Sequence, residues 1–247
     1  MGLFGGQNFF ALVVFWQQVL RFYFSEGFFN SGGGFSATRT GGVEDGFGDF
    51  AVFADARLCL RVIQMNFCSD NATGVSPEIM AAIAAANCGA VMSYGDDEYT
   101  QRLQVKFSDL FETSVTVFPV ATGSAANALA LAVVTPPYGA VYCHEESHIN
   151  LDECGAPEFF TGGAKLVTLT GNRAKIEAET LSKKLDRAGI GVVHHVQPAA
   201  VSITQATEAG TVYNPAEISH ISEVVRSHNL YLHMDGARFA NAVASLG

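Results

Sequence analysis

Two kinds of hydrophobic pattern alternate along residues 65–247. Short apolar or β-branched runs predict strands at 115–120, 140–143, 166–169, 192–193, 199–203 and 230–234. Amphipathic or alanine-rich runs predict helices at 99–111, 125–134, 175–188, 215–228 and 239–246. A further helix begins at Ser76-Pro77-Glu78, where serine is a suitable N-cap and proline a suitable first residue. Strands that alternate with helices indicate an α/β fold, with a mostly parallel sheet covered by helices on both faces.

Residues 1–64 have a different composition. They hold 12 of the 19 phenylalanines and no lysine or proline. The apolar run at 9–16 is too short for the roughly 20 residues that span a bilayer, and a signal peptide would need a basic residue before Arg21. We interpret residues 1–64 as an extension that is not a native domain, with the true start at Met65, and residues 65–247 as the functional domain.

Charge and cysteine content exclude several classes of function. The net charge of −10 over 247 residues argues against nucleic-acid binding, which requires a basic face. The five cysteines are odd in number and form no CxxC pair, so neither a disulfide framework nor a zinc site is supported. Free thiols fit a reducing cytoplasm, and we expect a cytoplasmic protein with no membrane partner.

The most informative stretch is the end of the last predicted strand. Leu230, Leu232 and Met234 alternate as in a strand, and Asp235-Gly236-Ala237-Arg238 follows at once. Ligands of α/β sheets bind at the carboxyl ends of strands. There an aspartate can hold a cation or a protonated ring nitrogen, and an arginine can clamp a carboxylate. The alternative is an ordinary Asp-Gly turn with Arg238 exposed.

A second stretch, residues 121–127, lies between a predicted strand and a predicted helix. Gly123 permits a tight turn, and the first free amides of the helix, with the hydroxyls of Thr122 and Ser124, form a phosphate cradle that needs no lysine. The alternative is simple N-capping of the helix by Ser124.

Two further stretches have the residue types of polar loops. His144-Glu145-Glu146-Ser147-His148 invites a metal-binding interpretation, but consecutive loop residues rarely converge on one ion, and we predict no metal site. One imidazole placed over a flat ring is the more economical role, with a solvated loop as the alternative. Residues 67–74, which include Ser69, have the chemistry of an Asx-type turn.

Together, a phosphate cradle, an aromatic stacking residue and an aspartate for a ring nitrogen match the protein side of a pyridoxal phosphate site. The chain from Met65 to Gly247 resembles the low-specificity threonine aldolases. These are β-eliminating lyases, and they have the type I (aspartate aminotransferase) fold of pyridoxal phosphate enzymes. The motifs that carry the resemblance are Ser69-Asp70-Asn71, Tyr94-Gly95-Asp96-Asp97, residues 122–127, His148 and residues 233–238.

The resemblance implies a role for each of several residues. Gly123 and Ser124 would hold the cofactor phosphate, and Asp235 would pair with the pyridine nitrogen. His148 would stack on the ring and assist proton transfer at the substrate hydroxyl. Ser69 and Arg238 would hold the carboxylate of the amino-acid substrate, with Arg238 also next to the cofactor.

The implied reaction is cleavage of threonine or allo-threonine to glycine and acetaldehyde by a homodimer or homotetramer. Two alternatives remain open: another pyridoxal phosphate lyase, acting on tryptophan or tyrosine, and a non-catalytic fragment.

One departure from the family concerns lysine. Such enzymes hold the cofactor as a Schiff base on a lysine, which in this family follows the Asp-Gly-Ala-Arg motif. All five lysines of this chain precede Asp235 (positions 106, 165, 175, 183 and 184). We therefore expect a large domain that is incomplete at its C-terminus, an inactive polypeptide, and no borohydride-reducible adduct with the cofactor.

Overall fold

A four-stranded parallel sheet is the centre of the fold. The computed structural model describes residues 11–12 and 74–247. Its strands are β1 (Ala11–Leu12), β2 (Thr116–Val117), β3 (Gly139–His144), β4 (Lys165–Leu169), β5 (Gln197–Thr204) and β6 (Tyr231–Asp235). The last four form one sheet in the order β4-β3-β5-β6, and every neighbouring pair is parallel. β1 and β2 form a separate parallel pair.

Eight α-helices connect or flank these strands in the described residues. They are α1 (Pro77–Ala86), α2 (Glu98–Leu110), α3 (Gly123–Val134), α4 (His148–Leu151), α5 (Ala156–Phe160), α6 (Ala178–Asp186), α7 (Pro215–Ser227) and α8 (Phe239–Leu246). A 3₁₀ turn at Asn172–Ala174 precedes α6. None of the helices in this part of the chain has the length and apolar character needed to cross a bilayer.

Alternate residues of the central strands pack on opposite faces of the sheet. On one face, Tyr142 and Ile203 join a buried cluster with Leu181 of α6 and Ile221 of α7. On the other face, Val141, Cys143 and Ala200 pack with Leu131 of α3 and Ile149 of α4. Because side chains of a strand alternate between faces, both faces of the sheet are covered. This confirms the predicted α/β fold with helices on both sides.

Local capping explains where several helices begin. The Ser76 hydroxyl accepts from the backbone N–H of Ile79, and Pro77 is the first residue of α1, as predicted. Asn214 caps α7 in a reciprocal capping box with Glu217. These interactions satisfy backbone donors that a helix N-terminus leaves free.

Three predicted elements differ from the structure. The strand predicted at 192–193 is wrong: these residues lie in a turn, where Gly189 and Gly191 adopt positive φ and the Gln197 side chain accepts from the Gly191 N–H. The strand predicted at 115–120 is only two residues long, and the Gln104 side chain bonds both the N–H and the C=O of its last residue, Val117.

The helix predicted at 175–188 is also shorter, since α6 spans only Ala178–Asp186. The backbone N–H of Ile176 donates to the buried Tyr213 hydroxyl at 2.6 Å. This bond holds the preceding segment in a non-helical conformation.

Candidate active site

Polar side chains collect at the carboxyl ends of β3, β5 and β6. His148 and Glu153 follow β3, and Glu208 follows β5. Asp235 is the last residue of β6, and Arg238 comes three residues later. The strands are parallel, so their carboxyl ends lie at one edge of the sheet. The N-terminus of α3 lies at the same edge, because Asn127 of α3 contacts Asp235. The sheet thus brings together residues from four separate segments.

Asp235 is a buried carboxylate that accepts hydrogen bonds from neutral donors. It is 8% exposed. Its Oδ2 accepts from Asn127 Nδ2 at 3.0 Å, and its Oδ1 accepts from the backbone N–H of Ala237 at 2.9 Å. Buried charges are usually paired with a counter-charge, but neither of these partners carries one. The carboxylate is therefore suited to a cationic ligand.

His233 lies two residues before Asp235 on β6. Burial lowers the pKa of His233 below its ordinary value of 6.5, and the Asp235 carboxylate opposes this shift. Its Nδ1 lies 2.8 Å from the buried Ser202 hydroxyl on β5. The lowered pKa favours a neutral imidazole near pH 7, so His233 does not supply the counter-charge of Asp235.

The first turn of α3 has free amide groups. The N-cap is Thr122, whose hydroxyl accepts from the Ala125 N–H at 3.1 Å, so the alternative that Ser124 caps this helix is wrong. The backbone N–H groups of Gly123 and Ser124 have no hydrogen-bond partner among the described residues. Free amides at a helix N-terminus favour an anion such as phosphate.

Asn127 links the helix that carries these amides to the Asp235 carboxylate. It lies one helical turn after Gly123, about 6 Å along the axis, and its amide touches Asp235 at 3.0 Å. The free amides and the Asp235 carboxylate therefore lie at the same end of α3 and at the same edge of the sheet.

His148 begins α4 and is held at two points. Its backbone N–H donates to Glu208 Oε1 at 3.0 Å, and its Nδ1 lies 2.8 Å from Glu153 Oε1. The ring remains 40% exposed, whereas the Glu153 side chain is fully buried. His144 is separate from this group: its Nδ1 accepts from the Glu146 N–H and its Nε2 lies 3.4 Å from Gly171 O. Of the two histidines in the 144–148 stretch, His148 alone joins the cluster.

Arg238 is oriented by backbone and carboxylate groups. Its Nε donates to Ala206 O at 3.0 Å, and its Nη2 lies 3.5 Å from Glu208 Oε1. Nη2 is buried and makes no hydrogen bond with any described residue, and the side chain as a whole is 33% exposed. A buried donor without an acceptor is costly, so this guanidinium is suited to a ligand carboxylate.

The same cluster has the spacing of a metal site. Ligand atoms of His148, Glu153 and Asp235 all lie within 4.8 Å of one another. The Asn127 amide, however, bonds both carboxylates and points its N–H groups between them. An amide nitrogen offers hydrogens and no lone pair to a cation. The two carboxylates are therefore arranged around N–H donors rather than around a metal ion. That no metal binds at this cluster stays a prediction.

Other predicted residues lie apart from the cluster or outside the described part. Ser69 lies outside the described residues. In the 94–97 motif, Asp97 caps α2 through the Thr100 N–H at 2.9 Å, and Tyr94 is exposed. Lys175 donates to Glu217 at 2.6 Å, and Lys183 pairs with Glu179. That no lysine of this chain carries the cofactor also stays a prediction.

Sequence reasoning missed three residues of the cluster: Asn127, Glu153 and Glu208. Asn127 is part of the 122–127 motif but received no role. A signal for it exists, since it is the only polar residue after the first turn of the apolar α3 sequence, and a buried amide requires partners. Glu153 and Glu208 have no comparable signal, because acidic residues in loops are usually solvated.

Comparison with known proteins identifies the family. A family model described as β-eliminating lyase matches residues 66–247. This chain belongs to the β-eliminating lyase family. Threonine aldolases and β-eliminating lyases of this fold depend on pyridoxal phosphate. The residues described above fit that cofactor, with a carboxylate that lacks a counter-charge and free amides in the first turn of the helix it contacts.

Several relatives of this β-eliminating lyase chain are threonine aldolases. It is 47% identical over 182 residues to the low specificity L-threonine aldolase of Pseudomonas aeruginosa, covering 73% of this chain and 52% of that protein. A second such enzyme, from Pseudomonas sp. strain NCIMB 10558, is 46% identical with the same coverage. The chain thus spans about half the length of the curated relatives it matches.

A solved structure agrees in fold. Leishmania major threonine aldolase superposes with a TM-score of 0.65 at 29% identity, covering 70% of this chain and 50% of that one. The fold is that of the pyridoxal phosphate enzymes of type I, and this chain contains part of it.

Proposed function

We propose that the protein containing this chain is a pyridoxal phosphate-dependent aldehyde-lyase that cleaves threonine and allo-threonine to glycine and acetaldehyde. The supporting observation is the hydrogen bond that joins Asp235 to Asn127 of α3, a helix whose first turn has free amides. A buried carboxylate with only neutral hydrogen-bond donors bonds Asn127, which lies one helical turn after the free amides of Gly123 and Ser124. The relatives named low specificity L-threonine aldolase support the choice of substrate.

The proposed cofactor contacts follow from charge. The Gly123 and Ser124 amides bind the phosphate, because a helix N-terminus favours negative charge. Asp235 accepts a hydrogen bond from the protonated pyridine nitrogen and balances its charge. His148 covers one face of the ring. When bound, pyridoxal phosphate supplies the electron sink for the bond that breaks at the substrate Cα.

The proposed substrate contacts use Arg238 and His148. Arg238 has a buried Nη2 without a hydrogen bond to any described residue, and it binds the amino-acid carboxylate. Fixing the carboxylate orients the bond to the hydroxyl-bearing carbon for cleavage. His148 takes the proton of the substrate hydroxyl. Ser69, outside the described residues, is a second proposed carboxylate ligand.

Cofactor binding to this chain tests the Asp235 assignment. We expect Asp235→Asn to weaken pyridoxal phosphate binding about 10- to 100-fold, since a hydrogen bond to a charged group contributes about 1.5–3 kcal/mol. Isothermal calorimetry of wild type and variant measures this. As a matched control, Asp186→Asn removes an aspartate that is 65% exposed, and it leaves the affinity unchanged.

The phosphate cradle is tested in the same calorimeter. Pyridoxal, which lacks the phosphate, binds more weakly than pyridoxal phosphate if the α3 amides hold that group. Equal affinities of the two compounds, or an Asp235→Asn variant with wild-type affinity, would rule out the proposed site.

Substrate choice requires an enzyme of full family length. Residues 66–247 are joined to the C-terminal half of the Pseudomonas aeruginosa relative, and the chimera is assayed with threonine, allo-threonine, tryptophan and tyrosine. We expect acetaldehyde from the first two. Indole or phenol release without acetaldehyde would favour a β-eliminating lyase of aromatic amino acids instead.

We also propose a homodimer or homotetramer in the cytoplasm. Exposed large apolar side chains on α3 and α5 support self-association. Cys88 and Cys154 are exposed, and exposed thiols are kept reduced in the cytoplasm.

A further inference from the structure

Glu153 lies at the centre of a buried hydrogen-bond chain that links His148 to Asp235. Its side chain is 0% exposed. Its Oε1 lies 2.8 Å from His148 Nδ1 and 2.8 Å from Asn127 Nδ2. Its Oε2 is buried and has no hydrogen-bond partner among residues 74–247. Both hydrogen bonds of this carboxylate therefore run through one oxygen.

Asn127 continues the chain to Asp235. Its Nδ2 also donates to Asp235 Oδ2 at 3.0 Å. Both neighbours of this nitrogen are carboxylate oxygens, which accept, so the amide must present its two N–H groups to them. One hydrogen goes to Glu153 and the other to Asp235. The order His148–Glu153–Asn127–Asp235 is thus fixed by donor and acceptor chemistry.

This order decides which nitrogen of His148 carries the proton. An ionised Glu153 carboxylate has no hydrogen to give, so Nδ1 is the donor in this contact. In a neutral imidazole Nε2 then keeps its lone pair. No hydrogen-bond partner of Nε2 is found in the described part of the chain, and the ring is 40% exposed. The basic nitrogen is therefore open to a ligand.

We infer that Glu153 is a positioning residue that holds neutral His148 in the Nδ1–H tautomer, with the Nε2 lone pair presented to the substrate hydroxyl. The value of this tautomer for catalysis rests on the proposed function. A carboxylate that orients a histidine and sets its tautomer is a general device of acid–base sites. Glu153 does so from a buried position and touches neither substrate nor cofactor.

The tautomer is measured without cofactor or turnover. The 247-residue chain is labelled with ¹⁵N-histidine, and long-range ¹H–¹⁵N correlation spectra are recorded at a pH where the His148 ring is neutral. The His148 signals are assigned by their loss in His148→Gln. We expect an Nδ1 of pyrrole type and an Nε2 of pyridine type.

Two variants of Glu153 separate tautomer control from simple packing. Glu153→Gln keeps a carbonyl oxygen at the Oε1 position, so the Nδ1–H form persists. Glu153→Met has similar length but no strong acceptor, so the Nδ1–H population falls and the Nε2–H form appears. Unchanged signals of His144, which is buried at the end of β3, verify that each variant is folded.

Three results would overturn the assignment. One is an Nε2–H tautomer of His148 in the wild-type chain, which decides the question even if Glu153→Met does not fold. The second is an unchanged tautomer in folded Glu153→Met. The third is loss of the Nδ1 proton on adding one equivalent of Zn²⁺, which would make the cluster a metal site.

These outcomes are independent of the cofactor titration. A chain with Nδ1–H His148 that fails to bind pyridoxal phosphate disproves the proposed function and leaves the Glu153 assignment standing. A chain that binds the cofactor while His148 has the other tautomer disproves the Glu153 assignment alone.

Discussion

At the scale of single residues, Asn127 is the side chain on which two buried carboxylates depend. Its amide nitrogen donates to both Glu153 and Asp235, at 2.8 and 3.0 Å. Two carboxylates this close repel each other, and the amide supplies the positive ends of two N–H dipoles between them. Removing the Asn127 amide takes one hydrogen-bond donor from each of these buried carboxylates.

We expect Asn127→Ala to lower the free energy of unfolding by about 3 kcal/mol, because buried acceptors that lose their donor pay the cost of desolvation. Urea unfolding at pH 7 measures the change. Asn150→Ala is the matched control: it removes one exposed bond, from Asn150 Nδ2 to Glu145 O, and costs less than about 1 kcal/mol. Equal losses in the two variants would contradict the role of Asn127 as a buried bridge.

Cys143 is a residue whose chemistry is suppressed by its position. It lies on β3 with no exposed surface, and burial raises the pKa of its thiol from 9.0 to about 11. At pH 8 almost no thiolate forms, and the thiolate is the reactive species. Cys88 and Cys154 are exposed.

We therefore expect iodoacetamide at pH 8 to alkylate Cys88 and Cys154 well before Cys143, which reacts only after unfolding in urea. Peptide mass spectrometry assigns the label to each cysteine. Labelling of Cys143 as fast as Cys154 in the native protein would show that β3 is not enclosed as described.

At the scale of elements, Lys175 joins the segment before α6 to the N-terminus of α7. Its Nζ donates to Glu217 Oε1 at 2.6 Å and to Val212 O at 3.3 Å. Glu217 also closes the capping box of α7 by accepting from the Asn214 N–H at 2.8 Å. One carboxylate thus supports both the helix start and the link between elements.

The hydrogen bond from Lys175 is the largest cause that lowers the pKa of Glu217 below 4.5. A lowered pKa in the folded state stabilises the protein above the unfolded pKa, and the effect is lost as the pH falls through the folded pKa. We expect Lys175→Met to destabilise the protein by up to about 1 kcal/mol at pH 7, since partial exposure screens the pair.

The difference between Lys175→Met and wild type should shrink as the pH falls below 4.5. Urea unfolding over a pH series measures it. Lys183→Met removes a comparable pair with Glu179 whose side chains are 66% and 80% exposed, and its effect should be smaller at every pH. A Lys175→Met loss that stays constant down to the acid limit would exclude Glu217 as its source.

At the scale of the whole molecule, two neighbouring helices expose large apolar side chains. α3 and α5 contact each other, and Val133 on α3 is 82% exposed while Phe159 on α5 is 79% exposed. Apolar side chains that group in this way mark interaction surfaces more often than scattered ones do.

If the proposed self-association uses this surface, Val133→Lys combined with Phe159→Lys yields a smaller species in sedimentation velocity, with an unchanged circular dichroism spectrum. Val193→Lys replaces a fully exposed loop residue and serves as the control. Identical sedimentation of wild type and the double variant would place the interface elsewhere.

Local sequence patterns are enough to predict most elements of the fold and part of the site. Periodicity located the four central strands and the helices α2, α3, α6, α7 and α8 to within a few residues, since one face of each element must be apolar. The short helices α4 and α5 were not predicted, and His148, expected in a polar loop, begins α4. Proline with a polar cap predicted the start of α1. Because carboxyl ends of parallel strands share an edge, His148, Asp235 and Arg238 could be expected together from the order of the elements alone.

Which polar groups meet depends on long-range packing. Asn127 and Asp235 are 108 residues apart in sequence, and Asn127 and Glu153 are 26 apart. No local pattern encodes such pairs, because they depend on how α3 packs over the end of β6. The same packing left Asp235 with neutral partners and made Glu153 the acceptor for His148, which a loop glutamate in sequence does not reveal.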